Sequence, residues 1–480
     1  MDSIRSLVQI FCPAFTAPSF SNACFLLLSW IKTSGRARIS EFLRVRRFMP
    51  KVVPRRTSGK WKHYSVLYRF FSEARWTLDE LGKCLVGALA GALPEDNELV
   101  LMIDDTFQKR SGPRILGAGM HYDGSESTYS GAQGAHPRID FGLSFVVLAV
   151  WVPIDWVEAG GLAIPVMFRL YRPRKQTPED KYRKRTELAV QMLDIGIEWF
   201  ENDQMVVAVD NEYSCETVLE GRPESVDVVG RLQGRNVVYD PEFEQKKRGR
   251  SRMWGPRLGR LDELAESDRF PWQMRQVQLY GDSVELKIKR LEVQWKSAPA
   301  SATLTVVITR DPKGHLDDGY FFRTREGATI EDVLVPAARR WGIEMCFRNC
   351  KQHMRISSVQ NGFAQGDEPN DPNEPGPDAP EGREPTASRR TVPFGMIAYG
   401  FVVLWYLKHG NPETDLKRAK LLAPWYTQKD GISFRDMLEA FRRQMEIEQL
   451  WQTPDEGGFG KKIDRSGPIR NRRSHKNAKL

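Results

Sequence analysis

Two uninterrupted apolar runs, Leu99-Val-Leu-Met-Ile103 and Met205-Val-Val-Ala-Val209, constrain this chain more than any other feature. A run without alternation is the pattern of a strand buried on both faces, which requires a sheet covered by helices on two sides. Asp104-Asp105-Thr106 follows the first run and Asp210 follows the second. Between them the pattern predicts strands over 143–153 and 162–170. A helix is predicted over 178–202, capped by Thr177 with Asp180 as its acid at N3. A second helix near Tyr213 and a strand over 226–232 come next. Three strands, helix, strand, helix, strand predicts a mixed α/β sheet with helices on both faces. Acids at the carboxyl ends of buried strands stand at the rim where open α/β sheets bind ligands. Read singly, each is equally a turn or capping residue, and Asp210 is placed to cap the helix that follows it.

A third acid lies on a predicted helix. Along 340–354, Arg340, Glu344, Arg348 and Lys351 fall on one face at about 3.6 residues per turn. Ile343, Cys346, Phe347, Cys350 and Met354 form an apolar stripe beside it. Taken alone, the polar face is a set of i,i+4 ion pairs. Taken with the two aspartates, it brings a third carboxylate to the same sheet. Three converging carboxylates repel one another unless a cation neutralises them. A set of oxygen ligands favours Mg²⁺ or Mn²⁺, and two such ions clamp the attacking and leaving oxygens of a phosphodiester displacement.

The flanks point to the same substrate class. The net charge is +9, and its excess is concentrated: residues 31–62 carry eleven Lys/Arg against Glu41 alone, and the last twenty residues carry eight against Asp464. Two basic segments predict a polyanionic partner, here nucleic acid. The six cysteines are scattered, with no CxxC pair, so no zinc site or disulfide framework is expected and a reducing cytoplasm fits. The apolar run at 23–30 is far shorter than the roughly 20 residues that a membrane span needs, so it reads as a core helix.

Helical spacing over 21–32, 39–48, 63–74 and 78–93 predicts an all-helical segment. Residues 241–329 alternate as strands and contain the basic stretch 246–252. Residues 361–388 hold six prolines and seven acids against one Arg, a composition expected to be disordered. Helices return over 393–408 and 433–449.

In these motifs the chain resembles the DDE-type transposases of bacterial insertion sequences, which have a ribonuclease-H-like core. Within that group it resembles the subgroup marked by Tyr-x2-Arg-x3-Glu-x6-Lys on the last catalytic helix. Arg340, Glu344 and Lys351 match the last three positions, while Ala337 stands where the Tyr is expected. "IDDT" at 103–106 is similar to the first-acid motif, "VVAVDNEY" at 206–213 to the second-acid strand, and "LTVVITRDPKG" at 304–314 to the strand before the last catalytic helix. The resemblance implies Asp105, Asp210 and Glu344 as catalytic and metal-ligating acids holding two Mg²⁺ ions, with Mn²⁺ as a substitute. Asp104 is then expected to point away. Arg340, Lys351 and Arg348 become phosphate contacts, and Trp295 and Trp341 become candidates for stacking on a flipped base.

The implied plan is a helical DNA-binding domain at 1–95 and a ribonuclease-H-like core at 96–240. A β-rich insertion at 241–329 precedes the catalytic helix at 330–360. An acidic loop at 361–389, C-terminal helices at 390–455 and a basic tail at 456–480 complete it. The implied activity is binding of terminal inverted repeats in double-stranded DNA by a homodimer, followed by metal-dependent strand cleavage and transfer, through a hairpin in some members. The setting is cytoplasmic and nucleoid-associated, with no membrane. Two alternatives stand beside it: a catalytically decayed or domesticated DNA-binding protein, and a ribonuclease-H-like nuclease without strand transfer.

Overall fold

In a computed structural model the described residues are 3–45, 65–94, 98–111, 115–122, 129–130, 134–135, 139–200, 202, 204–244, 251–279, 281–359, 387–448 and 450. Residues 361–386 of the predicted acidic loop, the basic tail, residues 46–62 of the basic segment at 31–62 and residues 246–250 of the stretch at 246–252 lie outside them, while residues 387–389, expected in the loop, begin a helix.

The strands are β1 (Leu99–Lys109), β2 (Gly119–Tyr122), β3 (Tyr129–Ser130), β4 (Gly134–Ala135), β5 (Ile139–Pro153), β6 (Gly161–Tyr171), β7 (Met205–Val209), β8 (Val226–Arg231), β9 (Val237–Tyr239), β10 (Arg257–Arg260), β11 (Gln273–Leu279), β12 (Asp282–Trp295), β13 (Leu304–Arg310) and β14 (Gly319–Arg323). All but β3 and β4, which pair with each other, join one sheet in the order β10-β9-β12-β13-β14-β8-β7-β1-β5-β2, with β11 on β12 and β6 on β5. β1, β5 and β6 run antiparallel, and β7 and β8 add parallel to β1. This mixed sheet is consistent with a ribonuclease-H-like core. The β-rich segment at 241–329 builds no sheet of its own. Its last strand, β14, pairs with β8 and continues the central sheet.

The helices are α1 (Ser3–Leu7), α2 (Ala17–Lys32), α3 (Ile39–Val45), α4 (Ser65–Ser72), α5 (Leu78–Leu89), α6 (Arg185–Gly196), α7 (Glu216–Gly221), α8 (Leu261–Glu266), α9 (Ile330–Arg339), α10 (Trp341–Gln352), α11 (Ala387–His409), α12 (Pro412–Leu422) and α13 (Phe434–Ile447). α11 is apolar nearly all round, and α2, α5 and α13 pack on it. By length and composition it is long enough to cross a membrane, but its side chains form the centre of the helical layer. α5, α10 and α11 all lie on β6, so the N-terminal and C-terminal helices share one core with the sheet.

Two expectations change. β1 does not end at Ile103. Pairing with β5 carries it through Asp104↔Val147 and Asp105↔Val146 to Lys109↔Gly142, so both aspartates sit within a strand. The helix expected over 178–202 forms only from Arg185. Lys184 is its cap, its backbone N–H donating to Glu187 Oε2 at 2.7 Å, while the Thr177 hydroxyl donates to the Pro173 carbonyl instead.

Candidate active site

Strand register decides which aspartate meets α10. β1 and β7 are parallel with Ile103 opposite Val209, so Asp104 and Asp210 are the next residues along the same pairing. Side chains alternate between faces along a strand, and directly opposed residues of an antiparallel pair share a face. Asp104 opposes Val147 of β5, which puts it on the face of Ala149 and Trp151. α10 approaches that face: a Cβ on Gly342 would meet the Trp151 ring at 2.6 Å. Asp105 opposes Val146, on the face of Leu148, where Gly196 of α6 packs.

On the α10 face, Arg340 joins the acids. Its Nη1 donates to Asp104 Oδ2 at 3.4 Å and its Nη2 to Glu344 Oε1 at 2.7 Å. Arg340 occupies the joint between α9 and α10 yet keeps right-handed helical geometry, which brings Glu344 one turn along its face. Its charge also favours ionised Asp210, whose carboxyl is otherwise pushed up by burial. Asp104 is pushed up to about 8, by burial first and then by the charges of Asp210 and Asp105, with Arg340 opposing. Asp104 and Glu344 thus share one guanidinium, and Asp210 follows Val209 on the strand beside Asp104.

On the other face Asp105 accepts from Ser144 Oγ at 3.2 Å and lies 3.7 Å from Arg185 Nε. Burial raises its carboxyl pKa, Arg185 lowers it and Glu212 raises it. Arg185 also donates to Glu212 at 3.2 Å, lies against His121 Nδ1 at 3.3 Å, and stacks over Tyr171 at 4.9 Å. The expectation that Asp104 points away while Asp105 meets Glu344 is therefore corrected: the strand continues through both residues and alternation sends Asp105 to α6.

Asp210 also carries its turn. Its Oδ1 accepts from the backbone N–H of Glu212 at 2.9 Å and of Tyr213 at 3.2 Å, and its carbonyl accepts from the Ser214 hydroxyl at 2.7 Å. That leaves Oδ2 as the oxygen not used by the turn among these contacts. The capping reading and the site reading of Asp210 are both compatible with this geometry.

Among the other predicted residues, Arg348 is exposed and Lys351 half-buried on α10, and Ala337 is partly buried on α9 against the core. Trp341 is 50 % exposed at the start of α10, one residue from Arg340. Trp295 is 7 % exposed and packs against Phe322 at 5.7 Å, so it is a core residue and is withdrawn as a base-stacking candidate. The resemblance singled out Asp105, whereas the aspartate that shares Arg340 with Glu344 is Asp104. The signal was available in the equal offset of the two aspartates from the ends of two five-residue strands.

The donor set is oxygen-only and mutually repulsive, which suits a hard divalent cation. Among the described residues no three His, Cys, Asp or Glu side chains already converge as a ligand set. The guanidinium of Arg340 is a cation that Asp104 and Glu344 both contact.

Residues 53–285 match the family described as DDE superfamily endonuclease. The chain carries a DDE superfamily endonuclease domain. The match takes in Asp104, Asp105 and Asp210 and stops before Arg340 and Glu344, which the fold alone brings to the site. No curated protein matches the chain.

Proposed function

We propose that this DDE endonuclease is a transposase that cuts DNA at terminal inverted repeats and transfers the freed strand. The observation that carries the reading is the shared contact of Asp104 and Glu344 with Arg340, beside Asp210, on a sheet of the expected topology. Asp104, Asp210 and Glu344 would hold two Mg²⁺ ions, or Mn²⁺. When bound, the ions supply Lewis-acid stabilisation of the attacking and leaving oxygens. The chain's own residues position the DNA. Arg340 releases its carboxylates and turns to a phosphate oxygen, a charge-assisted contact of good geometry. Lys351, and Arg348 on the exposed side of α10, extend the same cationic face. Trp341 offers an exposed ring next to the acids for an unstacked base.

The reading includes a homodimer on double-stranded DNA in the cytoplasm, associated with the nucleoid, and membership of the Tyr-Arg-Glu-Lys subgroup. Ala337 in place of the Tyr favours a second reading, a protein that binds DNA but no longer cuts it. Incubating the protein with DNA carrying its flanking repeats and Mg²⁺ separates the possibilities. Nicked ends with joined products support transposition. Nicks without joined products support a simple nuclease, and binding without nicks supports the decayed protein.

A further inference from the structure

Leu421, Leu422, Trp425 and Tyr426 are 81, 70, 72 and 61 % exposed, four large apolar side chains within six residues. They lie at the end of α12 and in the turn after it, outside the acid cluster and outside the family match. Both ends of this projection are tied down. Asn411 caps α12, accepting from the Thr414 backbone N–H at 3.0 Å. Asp415 is buried, accepts from the Tyr406 hydroxyl at 2.8 Å and pairs with Arg443. Beyond the turn, Lys429 pairs with Asp436 at 2.7 Å and the Ile432 backbone N–H donates to the Trp156 carbonyl at 3.0 Å. The exposed rings are therefore held out by an anchored scaffold.

The charge around them selects the partner. Between Asp415 and Asp430 the chain carries Lys417, Arg418, Lys420 and Lys429 and no acid. Lys417, Arg418 and Lys420 are exposed. At helical spacing Lys417, Lys420 and Leu421 share one face. The cores of protein–protein interfaces are depleted in lysine. Cations that meet phosphates, beside flat rings that meet bases, are the combination used on nucleic acid strands.

We propose that α12 and its following turn form a nucleic-acid docking surface, with Lys417, Arg418 and Lys420 on phosphates and Trp425 and Tyr426 against unpaired bases at a DNA end. This rests on the reading that the chain acts on DNA and adds a contact surface to it.

The test uses the full chain and two fluorescent probes, a blunt duplex and the same duplex with a single-stranded overhang. Trp425→Ala/Tyr426→Ala should weaken binding of the overhang probe by about ten- to a hundredfold while changing the blunt duplex less. Lys417→Ala/Lys420→Ala should weaken both probes and reduce the salt slope of log K by about two. Circular dichroism should match the parent in both cases, since the side chains are on the surface. Parental affinity and salt slope in both double variants would overturn the proposal. So would unchanged DNA binding with a loss of self-association, which would assign the patch to a second copy. If the parent itself binds neither probe, the DNA reading fails with it, whereas a parent that binds and variants that bind equally fail this proposal alone.

Discussion

Asp104 and Asp105 are neighbours in sequence and face opposite sides of the sheet, and that alternation carries the site assignment. Asp104→Asn keeps the shape and removes a charge beside Arg340. If Asp104 is a metal ligand, Mg²⁺-dependent nicking should fall by more than about a hundredfold, since changes to groups that merely support a ligand already cost about ten- to a hundredfold. Asp105→Asn leaves Ser144 and Arg185 to be accommodated, so it should lower stability while retaining measurable nicking. Reversed outcomes would restore Asp105 as the first acid.

A second residue-scale effect belongs to His121, which is buried between Phe107 and Tyr171 beside Arg185. Burial, then the Arg185 charge, lowers its pKa from 6.5 to about 4. A depressed pKa means that the folded state holds the neutral ring. That stability is present above about 6.5 and is lost as pH falls towards 4. Thermal melts should drop through that window, and His121→Gln, which keeps an acceptor for Arg185 but cannot titrate, should flatten the drop. An unchanged profile would show that His121 does not set the acid limit.

Among the elements, α10 bears on function most directly because it must lie close to the sheet. Gly342 has no room for a Cβ against Trp151. Gly342→Val should lift the helix, cost about 1–3 kcal/mol as overpacking, and lower nicking because Glu344 moves with the backbone. Unchanged activity and Tm would mean that this contact yields freely. The apolar stripe of α10 was legible from spacing, and Ile343, Cys346, Phe347, Cys350 and Met354 are all buried. The length of β1 was not. Asp104 and Asp105 interrupt its apolar pattern, and only pairing with β5, a tertiary effect, extends the strand past them. The start of α6 was equally hidden, because Pro178 is a good first residue for a helix while the chain at 178–184 turns instead. Arg185 carried no local signal at all, since its partners Asp105, Glu212 and His121 are distant in sequence.

Taken whole, the molecule is organised by one sheet that reaches from β10 to β2, and the segment at 241–329 is part of it. Arg323 on β14 is fully buried and donates to Asp227 on β8 at 2.9 Å, to Glu98 ahead of β1 at 3.0 Å, and to the Asp332 carbonyl on α9 at 3.0 Å. Removing it takes the buried cation from Glu98 and Asp227 and leaves them, for a cation, the longer contacts of Arg325, at 3.9 and 3.7 Å, a loss of about 2–4 kcal/mol. Arg323→Ala should therefore lower Tm sharply. Excising 241–329 should abolish cooperative folding rather than leave a stable core, and a cooperative melt of the excised chain would contradict the single-sheet account. Alternation along 277–309 announced strands, but their joining to β8 depends on antiparallel pairing between β14 and β8, which no local pattern encodes. Whether Glu344 acts in DNA cleavage is decided by Glu344→Gln, assayed for Mg²⁺-dependent nicking and for DNA affinity together. Nicking should disappear while affinity stays close to parental, because the substitution keeps the hydrogen-bonding shape and removes only the ligating charge. Parental nicking by Glu344→Gln would contradict that role, leaving Glu344 as the partner of a surface ion pair.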